Sequence, residues 1–263
     1  MTSPTTRPDR RVTAPGPLLY LTEPARAVAD FGLLTSSAPL LAALPRGDGH
    51  PVLVLPGLGA TDSSTATLRA VLRRLGYRTY GWRLGRNMGP TARAVHGMRA
   101  RLDQLTNRFE QPVSLIGWSL GGIYARQLAR RTVHAVRQVI TLGTPIRLAR
   151  KEQSHADRLF RDYSHWHIET WDLPLEHGER PLPVPTTSIY SPLDGIVAWR
   201  TCLNERGPQA ENIAVTASHL GFGHHPAVIW AVADRLAQPA GQWAPFRPPP
   251  LLRPAYPLPE RQS

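Results

Sequence analysis

Strand-like and helix-like patterns alternate along the middle of this chain, and that alternation restricts its architecture more than any other feature. Pro51-Val-Leu-Val-Leu55 is a short apolar run closed by Pro56-Gly57-Leu58-Gly59, the pattern of a strand buried on both faces that runs into a tight loop. Asp62 or Ser63 is placed to cap a helix with apolar positions Leu68, Val71, Leu72 and Leu75 and a stop at Gly76. Arg78 to Leu84 reads as the next strand. Pro90 opens a helix whose Val95, Met98, Leu102, Leu105 and Phe109 advance by threes and fours, a face packed on a core. Pro112 to Trp118 reads as a third strand, Leu120 to Arg131 as a helix and Val136 to Leu142 as a fourth strand. Strands and helices in this order predict an α/β fold: a mostly parallel sheet covered by helices on both faces.

The rhythm breaks after the fourth strand. Thr144 to about Pro183 is polar and aromatic, with Phe160, Tyr163, Trp166 and Trp171 and the histidines His155, His165, His167 and His177. An interval of roughly 40 residues exceeds ordinary connections and reads as a helical cap inserted over one end of the sheet. Pro185 to Tyr190 and Asn212 to Thr216 resume as strands, and a last helix has Pro226 in its first turn and carries Val228, Ile229, Val232 and Leu236. Residues 18–45 read as a lead-in of one or two helices. Residues 1–17 and 239–263 are rich in proline, which removes backbone donors and favours extended segments, so both are expected as tails that lie on, or off, a folded body, the first of them disordered. A single domain over 18–238 remains.

Thirty-one basic residues against 19 acidic give a net charge of +12, a balance that favours anionic partners where the charges cluster. Here they are spread out. Arg10-Arg11, Arg73-Arg74 and Arg130-Arg131 are isolated doublets without interleaved aromatics, which argues for solvated faces and against nucleic acid. Peripheral contact of the arginines and the N-terminal segment with anionic membranes stays open. Cys202 is the only cysteine, which excludes intramolecular disulfides and Cys-x-x-Cys redox or zinc motifs. The apolar stretch Leu33 to Leu44 is broken by Thr35, Ser36, Ser37 and Pro39, too short to span a bilayer, and unlike a secretory signal. A cytoplasmic location is the expectation.

Chemistry concentrates at three places. Gly117-Trp118-Ser119-Leu120-Gly121 fits Gly-x-Ser-x-Gly at the junction of a strand and a helix, with Gly122 as a further small position. A strand that turns directly into a helix strains the serine and leaves no room for a β-carbon on either side. A serine hydroxyl is a weak nucleophile until a base and an orienting carboxylate activate it. Asp194, in the loop leaving Ser188-Ile-Tyr190, and His219, after Ile213-Ala-Val-Thr216, follow Ser119 in the required order at the carboxyl ends of strands. His224 and His225 are rival bases, Asp162 and Asp172 rival acids. A metal site from His219, His224 and His225 lacks a nearby acid. The insertion histidines read as packing or surface residues, and Cys202 as a packed thiol.

These residues resemble the α/β-hydrolase family, and within it the lipases and esterases with a Gly-x-Ser-x-Gly-Gly elbow. The resemblance rests on Pro56-Gly57-Leu58-Gly59, Gly117 to Gly122, Ser191-Pro-Leu-Asp194-Gly-Ile-Val197 and Ser218-His219-Leu-Gly221, and spans roughly His50 to Ala237. It implies Ser119 as nucleophile, His219 as base and then acid, and Asp194 as the group that holds the imidazole tautomer. The oxyanion hole would be the backbone N–H groups of Leu120 and Leu58. Many lipases have His-Gly where this chain has Pro56-Gly57, a change of side chain that leaves backbone donors in place. The expected activity is hydrolysis of a small or lipid-like carboxylic ester through an acyl-enzyme, without cofactor or metal. Acyl transfer, thioester hydrolysis and a non-catalytic binding module use the same residues or the same fold.

Overall fold

A computed structural model describes residues 12–147, 154–168 and 181–257. Six parallel strands, β1 (Pro51–Leu55), β2 (Arg78–Gly81), β3 (Val113–Trp118), β4 (Val136–Leu142), β5 (Thr186–Tyr190) and β6 (Ala210–Ala214), form one sheet in the order β2-β1-β3-β4-β5-β6. The expected α/β sheet is therefore the observed one.

Successive side chains of a strand point to opposite faces, and the core divides accordingly. Val52 and Val54 of β1 join Ile116, Ile140 and Ile189 in one cluster with Leu68 and Leu72 of α3 (Ala66–Arg74) and the apolar face of α7 (Pro226–Ala237). Leu53 and Leu55 join Leu115 and Val139 in a second cluster. Its helical side comes from Met98, Leu102 and Leu105 of α4 (Ala92–Phe109) and from Tyr124, Ala125 and Leu128 of α5 (Leu120–Arg131). The two-faced burial of the strands follows directly from their unbroken apolar runs.

Some element boundaries differ from the sequence reading. Asp62 caps no helix: Thr61 Oγ1 accepts from Ser63 N–H, while the Asp62 carboxylate accepts from Trp82 and Arg83 N–H at 2.9 and 3.0 Å. Those two bonds withdraw the N–H groups of 82 and 83 from the ladder, and Arg83 turns to φ 61°, so β2 ends at Gly81 instead of Leu84. Thr91 caps α4, which begins at Ala92, two residues after Pro90 was expected to open it. β6 runs from Ala210 and pairs with β5 up to Tyr190↔Ala214, two residues upstream of the expected span.

The lead-in is two helices, α1 (Pro17–Ser36) and α2 (Ala38–Ala42). Residues 239–257 lie on the folded body, one of the two placements expected for a proline-rich tail. Pro250–Ala255 form a 3-10 turn, Tyr256 is buried in the α7 cluster, and its hydroxyl donates to the Ala227 carbonyl at 2.7 Å. Proline favours extended and 3-10 geometry equally at fixed φ, and Phe246 and Tyr256 supply the apolar area that seats the segment. The expected N-terminal tail begins to be ordered before Pro17, since Pro15 O accepts from His155 Nε2 at 2.9 Å; residues 1–11 lie outside the described part.

Within the insertion, α6 (Asp157–Asp162) and a 3-10 turn at Ser164–Trp166 are described. The insertion crosses the carboxyl edge of the sheet. Ser154 bridges to Val197 beside the loop after β5, and His167 bridges to Thr91 at the start of α4. Phe160 and Ile168 pack against the α4–α5 cluster, while Trp171, Asp172 and His177 lie outside the described residues.

Candidate active site

The turn from β3 into α5 is built on three glycines that admit no side chain. A β-carbon on Gly117 would come 2.3 Å from Gly122 Cα, one on Gly121 2.3 Å from the Leu55 carbonyl oxygen, and one on Gly122 2.0 Å from Thr144 Oγ1. The strand can therefore enter the helix without a spacer, and Ser119 takes φ 51° and ψ −121°, a conformation rare for a side-chain-bearing residue. Ser119 N–H donates to the Leu142 carbonyl, which ties the elbow to the end of β4. Leu120 is the first residue of α5, so its N–H is among those that no carbonyl of the helix serves.

Gly121 also lets the loop after β1 come close, because a β-carbon on it would lie 2.3 Å from the Leu55 carbonyl oxygen and 2.7 Å from that of Pro56. Ala60 N–H closes a turn onto Gly57 O at 3.2 Å, with Gly59 at φ 72°, and the Leu58 N–H lies outside that bond. A β-carbon on Gly57 would sit 3.3 Å from Ser119 Cβ, which measures how closely this loop passes the serine. Asn87 fixes the loop from the far side. Its Nδ2 donates to Pro56 O, its backbone N–H to Ala60 O, and its carbonyl accepts from Gly59 N–H. Fully buried and 31 residues from Pro56 in sequence, Asn87 carries no local signal of that role.

Asp194 and His219 meet behind this elbow. His219 Nδ1 and Asp194 Oδ2 are 2.6 Å apart, and the other carboxylate oxygen accepts from Ile196 and Val197 N–H at 2.8 and 2.7 Å. The imidazole packs edge-on against Phe222. Trp118 Nε1 donates to the His219 carbonyl at 3.1 Å, so the residue before the serine holds the histidine loop. Burial pulls the His219 pKa down, but the charge of Asp194, its hydrogen bond and the charge of Glu23 outweigh it, leaving the pKa above its ordinary value. Among the described residues no hydrogen bond joins Ser119 to His219.

Neither rival histidine reaches the acid. His224 Nε2 bonds to the Ala27 carbonyl, and His225 caps α7 by accepting from Ala227 N–H. Asp162 is exposed on α6. His155 and His167 bond to the Pro15 and Met88 carbonyls, and His165 packs at a tilt against Trp166. Cys202 is buried, and burial together with the Asp194 charge pushes its thiol well above the usual range, which keeps it protonated.

The sequence reading expected a helix here but missed what its buried carboxylates do. Glu23 is buried, and its Oε1 accepts from Gly195 and His219 N–H at 2.6 and 3.0 Å, its Oε2 from Leu220 N–H at 3.1 Å. Asp30 Oδ2 accepts from Ser218 N–H and Oγ at 2.9 and 2.6 Å. Two carboxylates of one helix thus clamp the loops that carry Asp194 and His219. A second Ser-His-Asp chain lies at the opposite end of the sheet: Ser114 Oγ is 2.8 Å from His50 Nε2, and His50 Nδ1 is 2.5 Å from Asp48 Oδ1. Ser114 is fully buried within β3, so that chain offers no face to a substrate.

No protein-family model matches the chain, and no curated protein matches it. Solved structures do. A lipase B from Aspergillus fumigatus superposes with a TM-score of 0.58 at 15% identity over 76% of this chain, which covers 56% of that lipase and so spans little more than half its length. A Bacillus licheniformis lipase in mature form gives 0.50 at 15% identity over 74% of this chain and 95% of its own. A Mycobacterium tuberculosis protein described as a non-heme bromoperoxidase gives 0.50 at 19% identity over 73% and 92%. The fold is that of the α/β-hydrolases.

Proposed function

We propose that this chain is a serine hydrolase of carboxylic esters, with Ser119 as nucleophile, His219 as general base and acid, and Asp194 as the residue that orients the imidazole. The observation that carries the reading is the direct His219–Asp194 contact at the sheet edge where Ser119 is held at positive φ. Asp194 accepts the Nδ1 proton, which leaves Nε2 free to take one. Rotation of the Ser119 side chain brings Oγ to Nε2 once substrate fills the site. Oγ then attacks the ester carbonyl carbon as its proton passes to Nε2. The carbonyl oxygen becomes an oxyanion stabilised by the N–H groups of Leu120 and Leu58. Collapse breaks the bond to the alcohol oxygen, which leaves with the Nε2 proton. Water repeats the sequence on the acyl-enzyme, giving its proton to His219, and Ser119 recovers it when the carboxylic acid departs.

A pKa above the ordinary value supports His219 in this role, because a stronger base takes the Ser119 proton more readily as Oγ attacks. The insertion acts as a cap over the acyl group: Leu159 lies against Gly59 of the oxyanion loop, with Phe160 behind it. The lipases among the structural neighbours support an apolar acyl chain. A fluorophosphonate probe tests the assignment. The folded wild type should carry one adduct on Ser119 and hydrolyse short-chain esters, and Ser119→Ala should do neither. Labelling elsewhere, or none on folded protein, would overturn it.

A further inference from the structure

Helix α1 is built inside out. Glu23 and Asp30 are buried against the catalytic loops, and Arg26 is tied to Glu23 and to the Leu19 and Leu193 carbonyls. The residues turned to solvent are apolar. Leu18, Leu21 and Val28 are 75%, 73% and 73% exposed, and Tyr20, Phe31 and Leu33 between 42% and 50%. Pro24, Ala25 and Gly32 continue the same face, on which no charged side chain is exposed. Single exposed leucines are ordinary on a protein surface; six of the eleven large exposed hydrophobics among the described residues on one helix are not. Two more, Leu193 and Leu220, stand beside Asp194 and His219 in the loops that Arg26 and Glu23 hold. The apolar surface is therefore continuous with the rim of the candidate active site.

The charge says what covers it. Residues 1–16, which lead into α1, carry Arg7, Arg10 and Arg11 against Asp9 alone, and the chain as a whole carries +12. A second copy seated on this face would bring two strongly cationic chains together over both sets of catalytic loops. An anionic lipid layer instead attracts the charge, accepts apolar side chains without polar partners, and presents acyl esters at the rim. α1 cannot cross such a layer, since no helix among the described residues is long and apolar enough to do so. We propose that the outer face of α1, together with Leu193 and Leu220, docks on an anionic lipid surface with the helix axis in the plane of the layer. This goes beyond the ester hydrolysis proposed above and rests on it only where activity is the readout.

Vesicle sedimentation tests it, with phosphatidylcholine alone and with added phosphatidylglycerol. Wild type and Ser119→Ala should both bind the anionic vesicles, less at high salt, and bind neutral ones more weakly. Leu21→Glu and Val28→Glu should each weaken binding by about tenfold or more, the effect of withholding one exposed aliphatic side chain from an apolar phase. Both variants should keep the thermal unfolding of the wild type and its rate on a water-soluble short-chain ester. Failure of the wild type to bind, or equal binding by both variants, overturns the proposal. So does a concentration-dependent dimer in light scattering that Leu21→Glu abolishes, which would assign the face to a second copy. Because Ser119→Ala binds without turning over, absent ester hydrolysis would count against the proposed function and leave the docking result standing.

Discussion

Glu23 is the residue whose removal says most about how this site is held. Glu23→Ala leaves three backbone donors without an acceptor, those of Gly195 and His219 buried and that of Leu220 half-buried. At about 1–3 kcal/mol for each unpaired donor the sum reaches several kcal/mol. Water entering the hole and the relief of a buried carboxylate offset part of it, so the expected loss of stability is about 3–5 kcal/mol. The lost pairing with Arg26 adds little, because that side chain is a quarter exposed. Glu23→Gln is the sharper probe. Its carbonyl oxygen can still accept from Gly195 and His219, its amide meets the Leu220 N–H, and the expected cost is about 1–3 kcal/mol. The negative charge is gone as well, and that charge helps to raise the His219 pKa. Under the proposed role of neutral His219 as base, the acid limb of kcat/KM should move to lower pH in Glu23→Gln, while Asp194 still holds the larger part of the upward shift. Urea unfolding and the pH dependence of kcat/KM on a soluble ester measure the two effects. A Glu23→Gln enzyme with wild-type stability and an unmoved acid limb would refute the clamp.

The two Ser-His-Asp chains make opposite predictions. Ser119→Ala should lower kcat by about three to six orders of magnitude, whereas Ser114→Ala should spare activity and cost about 1–2 kcal/mol in urea unfolding, because His50 Nε2 loses its partner. His50 is held neutral, since burial lowers its pKa below 6.5. The unfolded chain takes up the proton that the folded one refuses, so stability should fall as pH drops below about 6.5, and less so in His50→Gln. Asp48, lowered from 3.8 to about 2, adds a further loss between those values on continued acidification. Gly121→Ala drives a methyl into the Leu55 and Pro56 carbonyls, and should lower kcat while fluorophosphonate labelling slows in parallel, as expected when an oxyanion donor moves. Tyr256→Phe should cost about 1 kcal/mol and Tyr256→Ala about 3–5 kcal/mol in denaturant titrations, if the C-terminal segment belongs to the core.

Local patterns revealed whatever local physics determines. The apolar runs of β1, β3 and β4 and the stripe on α4 are set by burial on one or two faces, and they were legible to within a residue or two. The elbow was legible because steric exclusion at Gly117, Gly121 and Gly122 leaves a mark in the sequence itself. Asp194 and His219 were found through the order of strands. What the sequence hid are pairings across long separations. Asp62 looked like a helix cap and serves the end of β2, 20 residues on. Glu23 and Asp30 read as ordinary polar positions of a helix, and their partners lie 172 to 197 residues away. At the C-terminus proline density marked a tail and left open whether it lies on the body; two aromatic residues among the prolines decide that it does.

Those same separations set an order of events during synthesis. A ribosome releases α1 first, and the loops of Asp194 and His219 emerge more than 150 residues later. Until then Glu23 has only Arg26 of its own helix to pair with, and Asp30 lacks the Ser218 donors. Domain folding follows emergence of the chain, so the serine elbow can form on a nascent chain well before the acid and base loops have their clamp. Under the proposed function, ester-cleaving competence is then the last property the polypeptide acquires, and a chain truncated before Leu220 should fold its first four strands and remain chemically silent.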